Sequence, residues 1–276
     1  MHDEVHGLGS AGTAQRLAGF SDPIRYRLGL SATPDREYDD AGNAFIEAHI
    51  GPVLMEFGLD KAIRRGILAP FNYYPLPYDL TGDDRKRLRD VHAKKAARAL
   101  AGNPMSDKDV AIELARVYKT SQSKLPEFDR FVAANPELLE RCVVFTETQE
   151  YGQQVLDLIH KYRPDFHSYF TNEQSSTLDR FAQGDLQCLV TCHRLSEGID
   201  IRSLNTVVLF SSARAHLETI QRIGRCLRTD PANPEKVANI VDFVRTASGN
   251  GTPNSDVERQ TWLTDLSHIR YRENGR

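Results

Sequence analysis

Cysteine is scarce in this chain. Four thiols in 276 residues (Cys142, Cys188, Cys192 and Cys226) form no Cys-x-x-Cys pair, so neither a disulfide framework nor a zinc ribbon is expected. Cys188 and Cys192 stand four apart in an apolar run, where strand alternation puts both on one face, and they read as core thiols in a reducing cytosol. No run of about 18 apolar residues occurs, so no membrane-spanning helix and a cytoplasmic location are expected. Residues 1–6 are acidic and polar, unlike a signal peptide. Charge of one sign is missing too. A formal net charge of -3 neither asks for nor excludes a nucleic-acid partner, and any basic surface must be local. There is no internal repeat and no low-complexity tract.

What is present describes a globular chain. Hydrophobic residues make up 40% and charged residues 26%, enough for a real core, and the length suits one large domain or two small ones. Residues 26–30 form a short apolar strand that ends in Ser31-Ala32-Thr33-Pro34. Residues 39–57 mix a short helix with extended chain, and residues 60–65 make a helical turn or two that Gly66 ends. Residues 71–78, aromatic and proline-rich, read as an extended connector. Thr81 is an N-cap with Asp83 and Asp84 in the first turn of a helix reaching about Leu100. Helices near residues 107–118 and 125–134 follow. From Arg141 strands alternate with helices: strands at 142–145, 167–170, 186–192, 207–210 and 238–243, helices at 149–161, 175–183 and 217–228. Apolar strands in this order imply a parallel sheet covered on both faces. A short helix is expected around residues 257–269.

Three constellations carry chemistry. Asp3-Glu4-Val5-His6 places two carboxylates side by side. At a strand end one can hold Mg²⁺ through water while the other orients the attacking water, although Asp-Glu pairs are also common on surfaces. Ser31-Ala32-Thr33 sits where small hydroxyl residues can relay the state of neighbouring loops, or simply close a strand. Ser196-Glu197-Gly198-Ile199-Asp200-Ile201 follows a strand, and Gln221-Arg222-Ile223-Gly224-Arg225-Cys226-Leu227-Arg228 follows the next. There Gln221, Arg225 and Arg228 share one polar stripe of a helix, with Ile220, Ile223 and Leu227 on the core-facing stripe. Two guanidiniums on one stripe suit the developing charge of a triphosphate. Gly224 inside that helix costs about 1 kcal/mol against alanine, which a helix facing only water does not need.

The order of these pieces resembles motifs II, III, V and VI of superfamily 2 helicases. Residues 26–33 (Tyr-Arg-Leu-Gly-Leu-Ser-Ala-Thr) extend the likeness. So do Ala62-Ile63, Gly66, Leu68 and Pro70, which look like the interlobe linker of the restriction-enzyme and XPB-like branch, and Cys142-Val143-Val144-Phe145, which looks like motif IV. The match covers about residues 1–245. It implies an α/β fold with a RecA-like parallel sheet flanked by helices. Residues 1–73 would be the remnant of a first lobe with the linker, 74–135 a helical accessory segment, 136–247 a second lobe, and 248–276 a tail. It further implies ATP and Mg²⁺ as cofactors. Asp3 would hold the metal and Glu4 would act on the water. His6 would contact the other lobe near Gln221. Ser31 and Thr33 would couple hydrolysis to grip. Gly198 and Asp200 would meet the nucleotide's sugar and the cleft. Arg225 and Arg228 would be arginine fingers, with Arg222 supportive. Ser211 and Arg214 could touch the nucleic-acid backbone or merely start a helix.

One departure stands out. The family's phosphate loop, Gly-x-x-x-x-Gly-Lys-[Ser/Thr], needs a Gly-Lys dipeptide, and none occurs in the sequence. Gly7, Gly9 and Gly12 follow the carboxylates and bring no lysine. The sequence therefore reads as starting at motif II, with an upstream chain or segment expected to carry the loop. The resemblance implies part of an ATP-dependent DNA helicase or translocase, in restriction or repair, with RNA less favoured. The alternative is a non-catalytic nucleic-acid-binding or complex-forming remnant. Arg85, Lys86, Arg87, Arg89, Lys94, Lys95 and Arg98, interrupted by Asp90, could ride on a phosphate backbone or be a solvated face.

Overall fold

Short β-branched and aromatic runs between helices build the sheet that organises this molecule. The computed structural model describes residues 1–17, 19, 24–31, 39–170, 175–192, 203–211, 216–246 and 255–270. In chain order the elements are α1 (Ala11–Leu17), α2 (Asp40–His49), α3 (Leu59–Arg64), β1 (Phe71–Tyr78), α4 (Gly82–Leu100), α5 (Asp107–Lys119), α6 (Lys124–Ala134), β2 (Cys142–Phe145), α7 (Gln149–Ile159), β3 (Phe166–Tyr169), α8 (Ser175–Gln183), β4 (Cys188–Thr191), β5 (Thr206–Leu209), α9 (His216–Cys226), β6 (Ala238–Arg245) and α10 (Ser255–Ser267). Contact density divides the chain into two units. One is Met1–Gly58 with Ala215–Gln221, and the other is Leu59–Arg214 with Arg222–Arg276.

In the second unit six strands pair, all parallel, in the order β1-β6-β5-β2-β4-β3. This is the α/β, helix-flanked parallel sheet of RecA-like helicase domains. Alternate residues feed two cores. Val143, Phe145, Val207, Leu209 and Ile240 pack with Phe181, Ile223, Cys226 and Leu227 on one face. Cys142, Val144, Val208, Phe210 and Val241 pack with Phe128, Val155 and Ile159 on the other. Burial on both faces is why these strands read as continuous apolar runs rather than as an in–out alternation.

Two expectations need correcting. Residues 71–78 are not a free connector. They form β1, in register with β6 from Phe71↔Ala238 to Tyr78↔Arg245. Pro75 and Pro77 disguised the strand. They are tolerated because β1 pairs on one side only, and an edge strand can lack the N–H groups that face away from its neighbour. The chain's last helix, α10, is no loose appendage either: Leu263, Leu266 and Ile269 are buried in the first of the two cores.

Between β1 and α6 stands the α4–α5 hairpin. Thr81 caps α4 in a capping box, its Oγ1 accepting from Asp84 N at 3.0 Å while Asp84 Oδ2 accepts from Thr81 N at 3.0 Å. The hairpin has a small core of its own, made by Val91, Met105 and Val110 with Leu114 against them. Among the described residues no helix is long and apolar enough to cross a membrane.

Candidate functional site

In the Met1–Gly58 segment a short parallel pairing carries the acidic motif. His2 N donates to Leu28 O at 2.7 Å, Leu30 N to His2 O at 2.8 Å, and Val5 N to Leu30 O at 2.9 Å. The close approach requires a glycine: a Cβ on Gly29 would stand 2.8 Å from Val5 Cγ2. The pairing brings two of the singled-out motifs together. His6 Nδ1 lies 3.0 Å from Ser31 Oγ and 3.3 Å from Glu4 Oε2. Glu4 N donates to Asp3 Oδ1 at 3.0 Å. Glu4 adopts φ 48, ψ 49, a left-handed conformation that is sparsely populated by residues other than glycine. Its Oε2 is shielded from solvent and accepts no hydrogen bond. Such strain and an unsatisfied carboxylate oxygen are features that functional sites carry. Thr33 lies outside the described residues, as do Gly198, Asp200 and Arg214.

The other group lies on α9, which leaves the exit of β5 and runs back to the residues that lead into β1, β5 and β6. Ile223, Cys226 and Leu227 are fully buried, so the inner stripe of α9 is Ile223-Cys226-Leu227; Ile220 is only half-buried. Gln221 and Arg225 are half-buried on the remaining arc, and Arg228, half-buried too, stands past the helix end. The chain just past α9 is held by the linker, where Ala69 N donates to Leu227 O at 2.7 Å and Leu68 bridges Arg228. Lys236 Nζ donates to Arg228 O at 2.9 Å. The packing argument for Gly224 fails: a Cβ there meets nothing within 4 Å.

Arg222, placed in a supportive role, is buried. Its Nη1 donates to Ser211 Oγ at 3.0 Å and to Ser211 O, and its guanidinium lies 4.8 Å from the Phe145 ring centroid. Of the two readings of Ser211, contact with a nucleic-acid backbone or the start of a helix, the structure speaks against the first, since Ser211 is 0% exposed and its hydroxyl accepts from Arg222. It anchors α9 to the end of β5.

Comparison with known proteins bears on this region. Residues 124–230 match the model of the helicase conserved C-terminal domain. Those residues are thus similar to a helicase C-terminal domain. Putative helicase 22 of Sulfolobus islandicus filamentous virus (isolate Iceland/Hveragerdi) is 24% identical over 221 residues, 76% of this chain and 36% of that one. ATP-dependent RNA helicase DbpA of Escherichia coli (strain K12) is 32% identical over 116 residues, 40% of this chain and 25% of that one. The chain thus spans about a third or less of the length of these relatives. Among solved structures, a fragment of a putative HsdR subunit of a type I restriction enzyme from Vibrio vulnificus YJ016 aligns with TM-score 0.60 at 18% identity. It covers 93% of this chain and 44% of that one. S. cerevisiae Dbp5 bound to RNA and ADP BeF3 aligns with TM-score 0.51 at 15% identity, covering 98% of this chain and 57% of that one. Likeness at these identities establishes the fold.

The region matched by that model begins at a residue that the motif order passed over. Lys124 opens α6 and is only 3% exposed. Its Nζ donates to Phe210 O at 2.9 Å and sits 4.6 Å from the Tyr78 ring centroid and 5.5 Å from that of Phe243. Burial pulls its pKa down to about 7, against the pull of Asp256 and Asp242. A lysine starting a helix in a polar-looking stretch gives no sequence signal of such burial. Nearby, Asp242 and Arg259 form a fully buried ion pair at 2.8 Å that Tyr73 joins through its hydroxyl at 3.2 Å.

Proposed function

We propose that this chain is the rear part of an ATP-driven nucleic-acid motor, contributing the hydrolytic carboxylates and the arginine stripe, with DNA as its track. The observation that carries the reading is the 3.0 Å bond between His6 Nδ1 and Ser31 Oγ, which ties the acidic motif to the segment expected to couple hydrolysis to grip. Asp3 and Glu4 fit a divalent cation. They are hard oxygen donors, one Glu4 oxygen has no hydrogen-bond partner, and Mg²⁺ takes only one or two carboxylates beside phosphate and water. Bound ATP and Mg²⁺ would supply the phosphoryl group and neutralise its charge. Glu4 would orient the attacking water and take its proton, and His6 would hold Glu4 and Ser31 in register. Arg225 and Arg228 would offer planar forks to charge that grows during transfer. Gln221 shares their stripe. Ser31 and Thr33 would pass the state of the carboxylates onward, and Gly198, Asp200 and Arg214 would act as the resemblance implies.

Charge on α4 supports a nucleic-acid track. Lys94 and Lys95 are paired with Glu113 and Asp107, but Arg85, Lys86 and Arg89 are exposed and make no ion pair among the described residues. Unpaired cations on one helix are free to displace counterions from a phosphate backbone. The phosphate cradle would come from a segment carrying a Gly-Lys-[Ser/Thr] loop. Exposed Tyr26, Leu28, Leu30, Val53, Leu54 and Met55 offer that segment apolar surface to cover.

The test is ATP hydrolysis with and without single-stranded DNA, duplex DNA or RNA. The 276-residue chain alone is expected to turn over ATP negligibly; mixed with a polypeptide carrying the loop, it should show DNA-stimulated turnover that Glu4→Gln abolishes. Stimulation by RNA alone would replace the track. Turnover untouched by Glu4→Gln would overturn the assignment of the carboxylates. The missing Gly-Lys dipeptide favours one second reading, a non-catalytic binding module, which predicts DNA binding with no turnover in any mixture.

A further inference from the structure

Two neighbouring carbonyls at the exit of β5 are each held by a buried cation, and the cations come from different helices. Lys124 of α6 donates to Phe210 O at 2.9 Å, and Arg222 of α9 donates to Ser211 O. Ser211 N in turn donates to Phe145 O at 3.2 Å, which fixes this exit against β2. Carbonyls just past a strand end have left the ladder and need other donors when buried. Supplying them with cations is an expensive solution. A buried ammonium loses its hydration, and Met at position 124 would fill the same space without that loss. Lys124 therefore calls for a reason beyond packing.

We propose that Lys124 is a positioning residue: with Arg222 it clamps the two carbonyls at the exit of β5, and so sets the register of α9 and the arginines it carries. Arg222 ties α9 to Ser211 within its second turn; Arg225 stands one turn further on, and Arg228 follows just past the helix end at Cys226. A shift of the β5 exit would move the whole stripe. Aromatic faces of Tyr78 and Phe243 leave the ammonium no other route, so its bond to Phe210 is directional.

The clamp is also sensitive to protonation. The groups that act on Lys124 come from every side: Asp242 and Arg259 as a pair from β6 and α10, Asp256 from α10, and Lys119 from α5. The phenols of Tyr78 and Tyr151 are held neutral by burial, so they contribute no charge near pH 7. Asp242 and Asp256 raise the pKa of Arg259 against the desolvation of burial, so it stays charged. Loss of the Lys124 proton near neutrality weakens both the carbonyl bond and the two ring contacts.

Hydrogen exchange reads the clamp directly in the chain as it stands. In the wild type, α9 amides that exchange by local opening with Lys124 still buried, corrected for intrinsic exchange, should lose about tenfold in protection between pH 6 and 8.5, the scale of one charge-assisted hydrogen bond, even as global stability rises. Amides of β2 and α7 should hold steady. In Lys124→Met the α9 protection should be low already at pH 6 and flat with pH, while the rest of the sheet stays protected. A merely structural lysine would give a uniform loss and no pH step. Should Lys124→Met fail to fold, the ¹³C shifts of the Phe210 and Ser211 carbonyls in the wild type still decide: they should titrate together near neutral pH. The clamp is overturned if α9 protection in Lys124→Met matches the wild type across the range, or if the two carbonyl shifts do not move. What the stripe is for rests on the arginine reading above. Exchange measures its position alone, so the clamp and that reading can fail separately.

Discussion

Leu54 and Phe243 are both large apolar side chains, and they stand for two regions of unlike construction. Leu54 is 88% exposed, in a stretch where Val53 and Met55 are exposed as well; Phe243 is 1% exposed, ringed by Phe128 and Phe210. The sheet of the second unit is closed on both faces by helices. The Met1–Gly58 segment holds its acidic motif by a short backbone pairing and leaves apolar surface uncovered. Stability belongs to the first kind of region, and chemistry that waits on a partner can live in the second.

The contrast breaks most sharply under truncation of side chains. Phe243→Ala should cost about 3–5 kcal/mol, a full aromatic cavity in a core that cannot collapse around it. Leu54→Ser should fall within about 0.5 kcal/mol of the wild type. Urea unfolding of both variants checks the pair, and a Leu54→Ser loss of the Phe243→Ala size would mean that the exposed segment is part of the same cooperative core.

Arginines on α9 and just past its end offer the same contrast over a few residues. Arg228→Ala, in a mixture containing the phosphate loop, should cut ATP turnover by about 10³-fold with ATP binding nearly intact, since fingers act on transition-state charge. Arg222→Ala removes a buried tether to Ser211 and should show first as lost stability. Lys94→Ala, whose partner is Glu113 on the exposed hairpin, is the control that should leave turnover at saturating DNA unchanged. If Arg228→Ala behaves like Lys94→Ala in single-turnover hydrolysis, the finger assignment is wrong.

The elements buried on both faces were the most legible in the sequence. β2 starts and stops where the apolar pattern puts it, because burial leaves the strand no polar residue to blur its ends, and the amphipathic α8 keeps its expected span as well. β1 was hidden by Pro75 and Pro77, since a proline announces a break wherever it stands and only the sheet order reveals an edge. The acidic motif and Ser31 could be singled out from residue type, yet their bond depends on a backbone pairing between residues 2–5 and 28–30 that no local pattern encodes. Ser211 stayed ambiguous because a serine after a strand looks the same whether its hydroxyl meets water or a buried guanidinium. Lys124 was missed for the same reason: burial of a charge is a property of the whole fold.

Its titration gives a smaller, pH-dependent test of the two regions. The folded pKa of Lys124 is pulled down to about 7, below the ordinary lysine value, so between those two values the unfolded chain binds a proton that the folded chain does not. Stability therefore rises with pH across that window and the buried charge costs most below it. Lys124→Met removes that cost, roughly 5 kcal/mol, but leaves Phe210 O without this donor, at about 1–3 kcal/mol. The variant should be the more stable chain at pH 6 and the less stable one by pH 10. Chemical denaturation at both ends would show the crossing. A constant difference across pH would mean that the ammonium is not desolvated in the folded state.

The smallest expected effect lies in the α4–α5 hairpin, which shares features of both regions. It has its own core of three buried residues, too small to be stable alone, and it is stitched to the rest by Asp84, whose Oδ2 accepts from Ser121 Oγ at 2.6 Å. Thr81→Ala removes the reciprocal cap at the start of α4 and should cost about 1 kcal/mol. Where that loss appears is the informative part. If the hairpin opens independently of the sheet, exchange at the α4 amides should quicken about fivefold while β2, β5 and β6 amides stay as they were. If the hairpin and sheet unfold as one body, all of them should quicken together. The first outcome would mean that the exposed cations Arg85, Lys86 and Arg89 ride on an element free to adjust to a phosphate backbone without disturbing the clamp on α9. The second would make α4 a rigid arm of the sheet, so that a load on its cations would reach β1 and, through β6, the strand whose exit Lys124 holds.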